Sequence, residues 1–422
     1  MLRAGWRGAR CFVLIAFALG LLAALIGCHP PPSDDTLVFK HAKLFGDPRA
    51  LRALLDDFEA RTGLTVRQEL LPSGSDEQRQ SYVIDLRGRA ASFDVFAVDV
   101  IWVPEFAAAG WLRDLTDALH PDTRAALFDG PREAVTYRGR LYAAPWFIDA
   151  GLLYYRKDVL ARHDTAPPES WAELRAAAQR IAPQEGMYGF VWQGRQYEGL
   201  VTNVLEYLWS NGGEVWRDGA PVIDSPANRE ALSFLVALVQ RDGVTPRFVT
   251  TLTEEPARRI FGDGNALFLR NWPYAWALFE RPESAVRGRV GVSALPRFAG
   301  GEAAATLGGW QLAVNPHSRR PQQAEALVAY LTSREAQKAL ALAYGFQPAR
   351  RDLYDDPELR AAQPQLALFY PIFEQARPRP VSAHYARLSQ ILQAEFSAAV
   401  AGVKSPEAAL RDAQRQAEAA LF

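Results

Sequence analysis

From Leu37 onward the chain alternates between two hydrophobic periods. Leu37-Val38-Phe39 is a short apolar run, the signature of a buried strand. Leu51, Leu54, Leu55 and Phe58 then recur on one helical face, and Thr62-Gly63 marks the stop, because glycine takes the left-handed cap conformation at little cost. Thr65–Leu70 alternates as a strand, Asp76–Ala91 reads as a helix and Phe93–Val98 as a third strand. Strand, helix, strand, helix, strand predicts a mainly parallel sheet covered by helices. Pro104–Gly110 predicts a short helix with a glycine stop.

Pro145–Arg156 is an apolar and aromatic run with one acid, Asp149, in its middle. Such enrichment predicts a strand, and an unpaired carboxylate inside one is costly to bury. Asp149 therefore either faces water at a strand end or points into a gap between two lobes, where a donor or a ligand hydroxyl compensates it. A second α/β region follows. Helices are expected over Trp171–Ile181 behind the Ser170 cap, Leu200–Ser210, Asn228–Gln240 and Glu254–Phe261. Strands are expected over Tyr188–Trp192 and Ala266–Arg270, with a hairpin at Asp218-Gly219. Strand character resumes at Leu312–Val314. Helices Pro321–Leu331 and Ser333–Tyr344 lead to Gly345, and the remainder from Pro357 reads as mostly helical.

The 422 residues leave room for two domains, and 49% hydrophobic with 23% charged residues fits a globular chain. The N-terminus differs from the rest. Arg3, Arg7 and Arg10 precede an apolar run from Cys11 to Ile26, the layout of a secretory signal and short for a bilayer span of about 20 residues. It ends in Leu25-Ile26-Gly27-Cys28, which resembles the bacterial lipobox, so residues 1–27 read as a lipoprotein signal peptide and Cys28 as the lipidation site. Residues 28–36, with His29-Pro30-Pro31-Pro32-Ser33-Asp34-Asp35, read as an extended tether. Cleavage before Cys28 leaves 44 basic against 48 acidic side chains, a formal charge of −4. That balance argues against a nucleic-acid partner, and a mature chain whose one cysteine is acylated forms no internal disulfide.

Phosphate-loop, dinucleotide, metalloprotease and serine-hydrolase motifs are absent from the sequence. Its six histidines are scattered and read as surface or capping residues, so neither cofactor nor metal is expected. Tryptophans instead sit beside polar residues: Ile101-Trp102, Trp192-Gln193, Asn271-Trp272-Pro273-Tyr274 and Gly308-Gly309-Trp310-Gln311. Core packing explains any one of them. Trp272 and Trp310, flanked by Gly, Pro and Asn, are placed to reach a cleft, where an indole face covers the C–H face of a sugar ring and Asp, Glu and Arg bind its hydroxyls.

Six segments carry a resemblance in order: Phe93–Trp102, Pro145–Arg156, Trp192–Leu200, Arg270–Ala275, Leu307–Leu312 and Arg377–Pro380. They look like the solute-binding lipoproteins of sugar ABC importers, nearest the trehalose/maltose-binding group, over about Leu37 to Ser389. The resemblance implies an α/β, two-lobed periplasmic-binding-protein fold of type II, with lobes joined by hinge strands and the ligand in the cleft. It places residues 37–146 plus 306–347 in the N-terminal lobe and 147–305 plus 348–422 in the C-terminal lobe. By position it gives Asp99 and Asp149 as hydroxyl acceptors, Arg79 and Arg379 as donors, Trp272 and Trp310 as stacking planes, and Gly309 as a backbone contact. Tyr197 and Glu198 could equally build the wall. A glutamate of the family turn has only Asp47 as its counterpart here, which bears on the sugar. The resemblance further implies a non-enzymatic monomer held at the bacterial cell envelope by its lipid. It would capture a disaccharide, trehalose or maltose-like, and deliver it to permease subunits driven by a separate ATPase. Two other readings stay open: a phosphorylated or acidic solute among Arg79, Arg270 and Arg379, and a glycoside hydrolase using Asp99 and Asp149.

Overall fold

The computed structural model describes residues 35–44, 46–72 and 74–421. The expected signal segment, Cys28 and most of the tether lie outside them. Two sheets organise the chain. Their strands are β1 Thr36–Ala42, β2 Thr65–Leu71, β3 Val95–Asp99, β4 Ala144–Ala150, β5 Leu152–Arg156, β6 Tyr188–Val191, β7 Ala266–Asn271, β8 Val290–Ser293 and β9 Leu307–Val314. The first sheet runs β2-β1-β3-β9-β4 and the second β8-β5-β7-β6. Each has its own apolar core. Leu37, Phe39, Val95, Val98 and Leu312 pack in the first, and Leu153, Phe190, Leu205 and Phe268 in the second.

The expected helix on Leu51, Leu55 and Phe58 spans Pro48–Thr62 and ends at Gly63, whose φ of 74° is left-handed. Ser170 caps Trp171–Glu185 in a reciprocal box with Glu173. Asp218 and Gly219, with φ of 52° and 82°, turn a hairpin between Trp216–Arg217 and Ala220–Pro221.

Two expectations are corrected. The first is the single strand over Pro145–Arg156, which is two strands in different sheets, parted at Gly151. A Cβ on Gly151 would stand 2.0 Å from Glu206 Oε1 and 2.7 Å from Arg270 Nη2. Only a residue without a side chain passes that buried ion pair, and the backbone moves from one sheet to the other there. The second is the mainly parallel sheet, which holds between β1 and β3 but takes in antiparallel strands from later in the chain. Parallel pairing joins β1 to β3 and β6 to β7, whereas β9 is antiparallel to β3 and β4, and β5 is antiparallel to β7 and β8. Helical crossovers give parallel neighbours. Strands that come in from the other lobe have no such crossover, and they enter against the direction of their hosts.

Candidate functional site

The carboxyl ends of both parallel pairs open on one cleft, where open α/β sheets place ligands. On one side β1 ends at His41-Ala42 and β3 at Asp99. On the other, β6 runs on to Arg195-Gln196-Tyr197 and β7 to Trp272. The cavity measures about 430 Å³, within the ordinary range for small-ligand sites. Helices Ser75–Arg87, Glu198–Ser210 and Glu254–Gly262 start at its rim. Their first turns carry Asp76, Glu77, Glu198, Glu254 and Glu255, acids that the positive end of a helix favours.

Antiparallel pairing sets Asp99 beside Trp310 and Asp149 beside Gly308, on the two flanks of β9. Gly309 between them has a φ of +110°, and a Cβ there would lie 2.4 Å from the Phe147 carbonyl oxygen. The register shift after Trp310 is the kind of irregularity that re-aims a side chain. Trp310 meets Trp102 edge-on, with ring centroids 5.6 Å apart. Across the cleft, Trp272 is fixed by its backbone: its N–H donates to Asn271 Oδ1 at 2.8 Å, and its carbonyl accepts from the Tyr154 hydroxyl at 2.9 Å. The Arg270 guanidinium covers one indole face, 4.0 Å from a ring centroid.

The carboxylates fall into two kinds. Among the described residues no hydrogen bond or ion pair reaches Asp149. Burial, with the Asp99 carboxylate adding and Arg270 opposing, pushes its carboxyl up to about 8. Burial also raises Asp99, opposed by the Arg379 guanidinium and reinforced by Glu198. Asp76 is pushed up to about 6 by burial and by Glu198. Glu198, by contrast, accepts from Arg379 at 2.8 Å and from the Tyr385 hydroxyl at 2.6 Å, and also from Ser389. Tyr197 lines the cavity, its phenol raised by burial and by Glu254.

Asp99, Asp149, Tyr197, Glu198, Trp272, Gly309, Trp310 and Arg379 thus share one cavity. Asp47 and Arg79 do not line it. Asp47 caps Pro48–Thr62, accepting from the Arg49 N–H at 3.0 Å and from its guanidinium. Arg79 is spent on Glu105. Arg270 is paired with Glu206, the ion-pair role usual for an arginine ending a buried strand. His41 corrects the expectation of surface or capping histidines. It is buried against Gln68 at the end of β1, lines the cavity, and burial pulls its ring below the usual range. Asp76, Glu254, Arg195 and Phe346 also line the cleft unforeseen. Acids opening a helix were the one available signal for Asp76 and Glu254.

The model of the family described as "Bacterial extracellular solute-binding protein" matches residues 42–338, and the chain belongs to that family. Among solved structures it is similar to the maltose-bound MalE3 of T. maritima, at 40% identity and a TM-score of 0.86, over 91% of this chain and 99% of that one. A solute-binding protein of Thermotoga lettingae bound with α-D-tagatose is 25% identical, with a TM-score of 0.83, over 92% of this chain and all of that one. A probable ABC transporter-binding protein of Deinococcus radiodurans is 37% identical over 374 residues, 87% of this chain and 88% of its own length. The two-lobed periplasmic-binding-protein architecture is common to this chain and the structures it resembles.

Proposed function

We propose that the chain is the sugar-capturing component of an ABC importer and takes a disaccharide, maltose- or trehalose-like. The observation that carries this reading is the pairing, in one cavity, of two indole planes, Trp272 and Trp310, with the unpartnered Asp149 carboxyl. Aromatic faces take the C–H faces of sugar rings, and an unpartnered carboxyl that burial keeps protonated offers sugar hydroxyls both a donor and acceptors. The maltose-bound T. maritima relative supports the same class. Asp99 and Arg379 complete the polar contacts and Gly309 lets the backbone approach. Rotation about the crossings, one of them at Gly151, closes the lobes on the ligand, because only the closed form touches it with both walls.

In this reading the chain performs no chemistry. It works extracytoplasmically as a monomer, held by a lipid on Cys28, and hands the sugar to a permease powered by a separate ATPase. A phosphorylated ligand is disfavoured, since Arg79, Arg270 and Arg379 are each already bound to a carboxylate. Calorimetric titration of the purified protein with maltose, trehalose, sucrose and glycerol phosphate tests the proposal. Saturable heat with a disaccharide, and no glucose released on prolonged incubation, is the expected result. Heat with the phosphate alone, or sustained glucose release, would overturn it.

A further inference from the structure

Arg379 stands where the two lobes meet. It arrives on the C-terminal segment, where Arg377 bridges to Thr306 just before β9. Its Nη2 lies 3.5 Å from Asp99 Oδ1 in the first sheet and 3.4 Å from the Leu307 carbonyl. Its Nη1 donates to Glu198 Oε1 at 2.8 Å, on a helix of the second lobe. The residue is 5% exposed and lines the cavity.

The guanidinium is held from behind. Glu198 Oε1 also accepts from the Tyr385 hydroxyl at 2.6 Å, Oε2 accepts from the Ser389 hydroxyl, and Ser389 Oγ accepts in turn from Gln393 Nε2 at 2.9 Å. Tyr385, Ser389 and Gln393 are spaced by four along the helix Tyr385–Val400, which stacks them on one face. Both oxygens of Glu198 are therefore engaged, and its carboxylate cannot swing toward the cavity without breaking a bond. Glu198 belongs to the support of the site more than to its ligand face.

We infer that Tyr385 and Ser389 are positioning residues: through Glu198 they fix the Arg379 guanidinium at the cavity wall, in reach of a ligand oxygen. The inference rests on reading the cleft as a sugar site. The plainer alternative is that the two hydroxyls only satisfy a buried carboxylate and stabilise the lobe.

A binding cycle separates the two. Maltose is titrated into the purified protein and into Tyr385→Phe, Ser389→Ala, Arg379→Met and the doubles of each hydroxyl variant with Arg379→Met, with Tm recorded for all. The expected result is a weakening of about tenfold for each hydroxyl variant. In the Arg379→Met background the same changes should move Kd by less than about twofold. A lowered Tm with Kd unchanged overturns the inference, as does equal weakening in both backgrounds. Should Tyr385→Phe fail to fold, Ser389→Ala alone decides, since it removes one oxygen from the far side of Glu198. A wild-type protein that binds none of the sugars removes the functional reading and this inference with it.

Discussion

The two walls of the cleft are built by different means. The first is made of three adjacent strands: Asp99, Trp310 and Asp149 stand on neighbouring strands of one sheet, around a glycine no other residue could replace without strain. The second is made of helix starts and of side chains locked to one another: Glu198 to Arg379, Glu206 to Arg270, Glu255 to Arg258. The difference bears on function. A carboxylate in a buried ion pair has little left to offer a ligand, and losing one partner strands the other. A carboxyl such as Asp149, held protonated by burial and bonded to no protein group among the described residues, keeps its donor and acceptors free for ligand hydroxyls. On the proposed reading Asp149 is the acid kept for the ligand, whereas Asp99 shares Arg379 with Glu198 and the paired acids of the second wall hold its shape.

The sharpest way to break this contrast is Trp310→Ala, which removes the stacking plane of the first wall. Maltose affinity should fall at least about thirtyfold by calorimetry, and a loss below threefold would mean that this wall does not carry the ligand. Next comes Gly309→Ala. The positive φ and the 2.4 Å approach to the Phe147 carbonyl should together cost about 3 kcal/mol in urea unfolding. Unchanged stability would show that the strand end tolerates a side chain.

The lone carboxylate gives a pH signature of moderate size. Asp149 titrates at about 8 when folded and near ~4 when unfolded. Between those values the folded state holds a proton that the unfolded state has lost, so this group's contribution to stability falls as pH rises from about 4 to about 8. Asp149→Asn, which carries no proton to lose, should flatten that slope in denaturation curves taken across the window. A slope equal to wild type would mean that Asp149 is already compensated. The smallest effects belong to residues off the cleft. Arg79→Ala and Asp47→Ala should each leave maltose affinity within about twofold, Asp47→Ala adding only a slight loss of stability from the missing cap. A large loss of affinity in either would return that residue to the site.

Much of the fold was legible because its signals are local. The helix Pro48–Thr62 and its glycine stop, the capping box at Ser170 and Glu173, and the Asp218-Gly219 hairpin follow from periodicity and turn chemistry within a few residues. The cavity lining was legible where polar and aromatic residues interrupt strands, as at Asp149, Trp272 and Trp310. His41 was not, since one histidine ending an apolar strand carries no mark of what it will face. Asp47 and Arg79 were expected at the ligand from their position relative to a motif, and folding sets each against a neighbouring charge outside the cavity lining.

The amino-acid sequence alone determined the family, the α/β alternation and several of the aromatic and acidic residues that line the cleft, because these depend on residue type and spacing. Only the tertiary structure decided that Pro145–Arg156 breaks at Gly151 and that the crossing strands run antiparallel. It also separated the acid left free at Asp149 from the acid consumed at Glu198. Those outcomes turn on contacts between residues far apart in the chain, such as Gly151 with Glu206 and Glu198 with Tyr385 and Ser389. A buried charge is settled by whatever partner folding brings within 3 Å, and spacing along the sequence does not encode that distance.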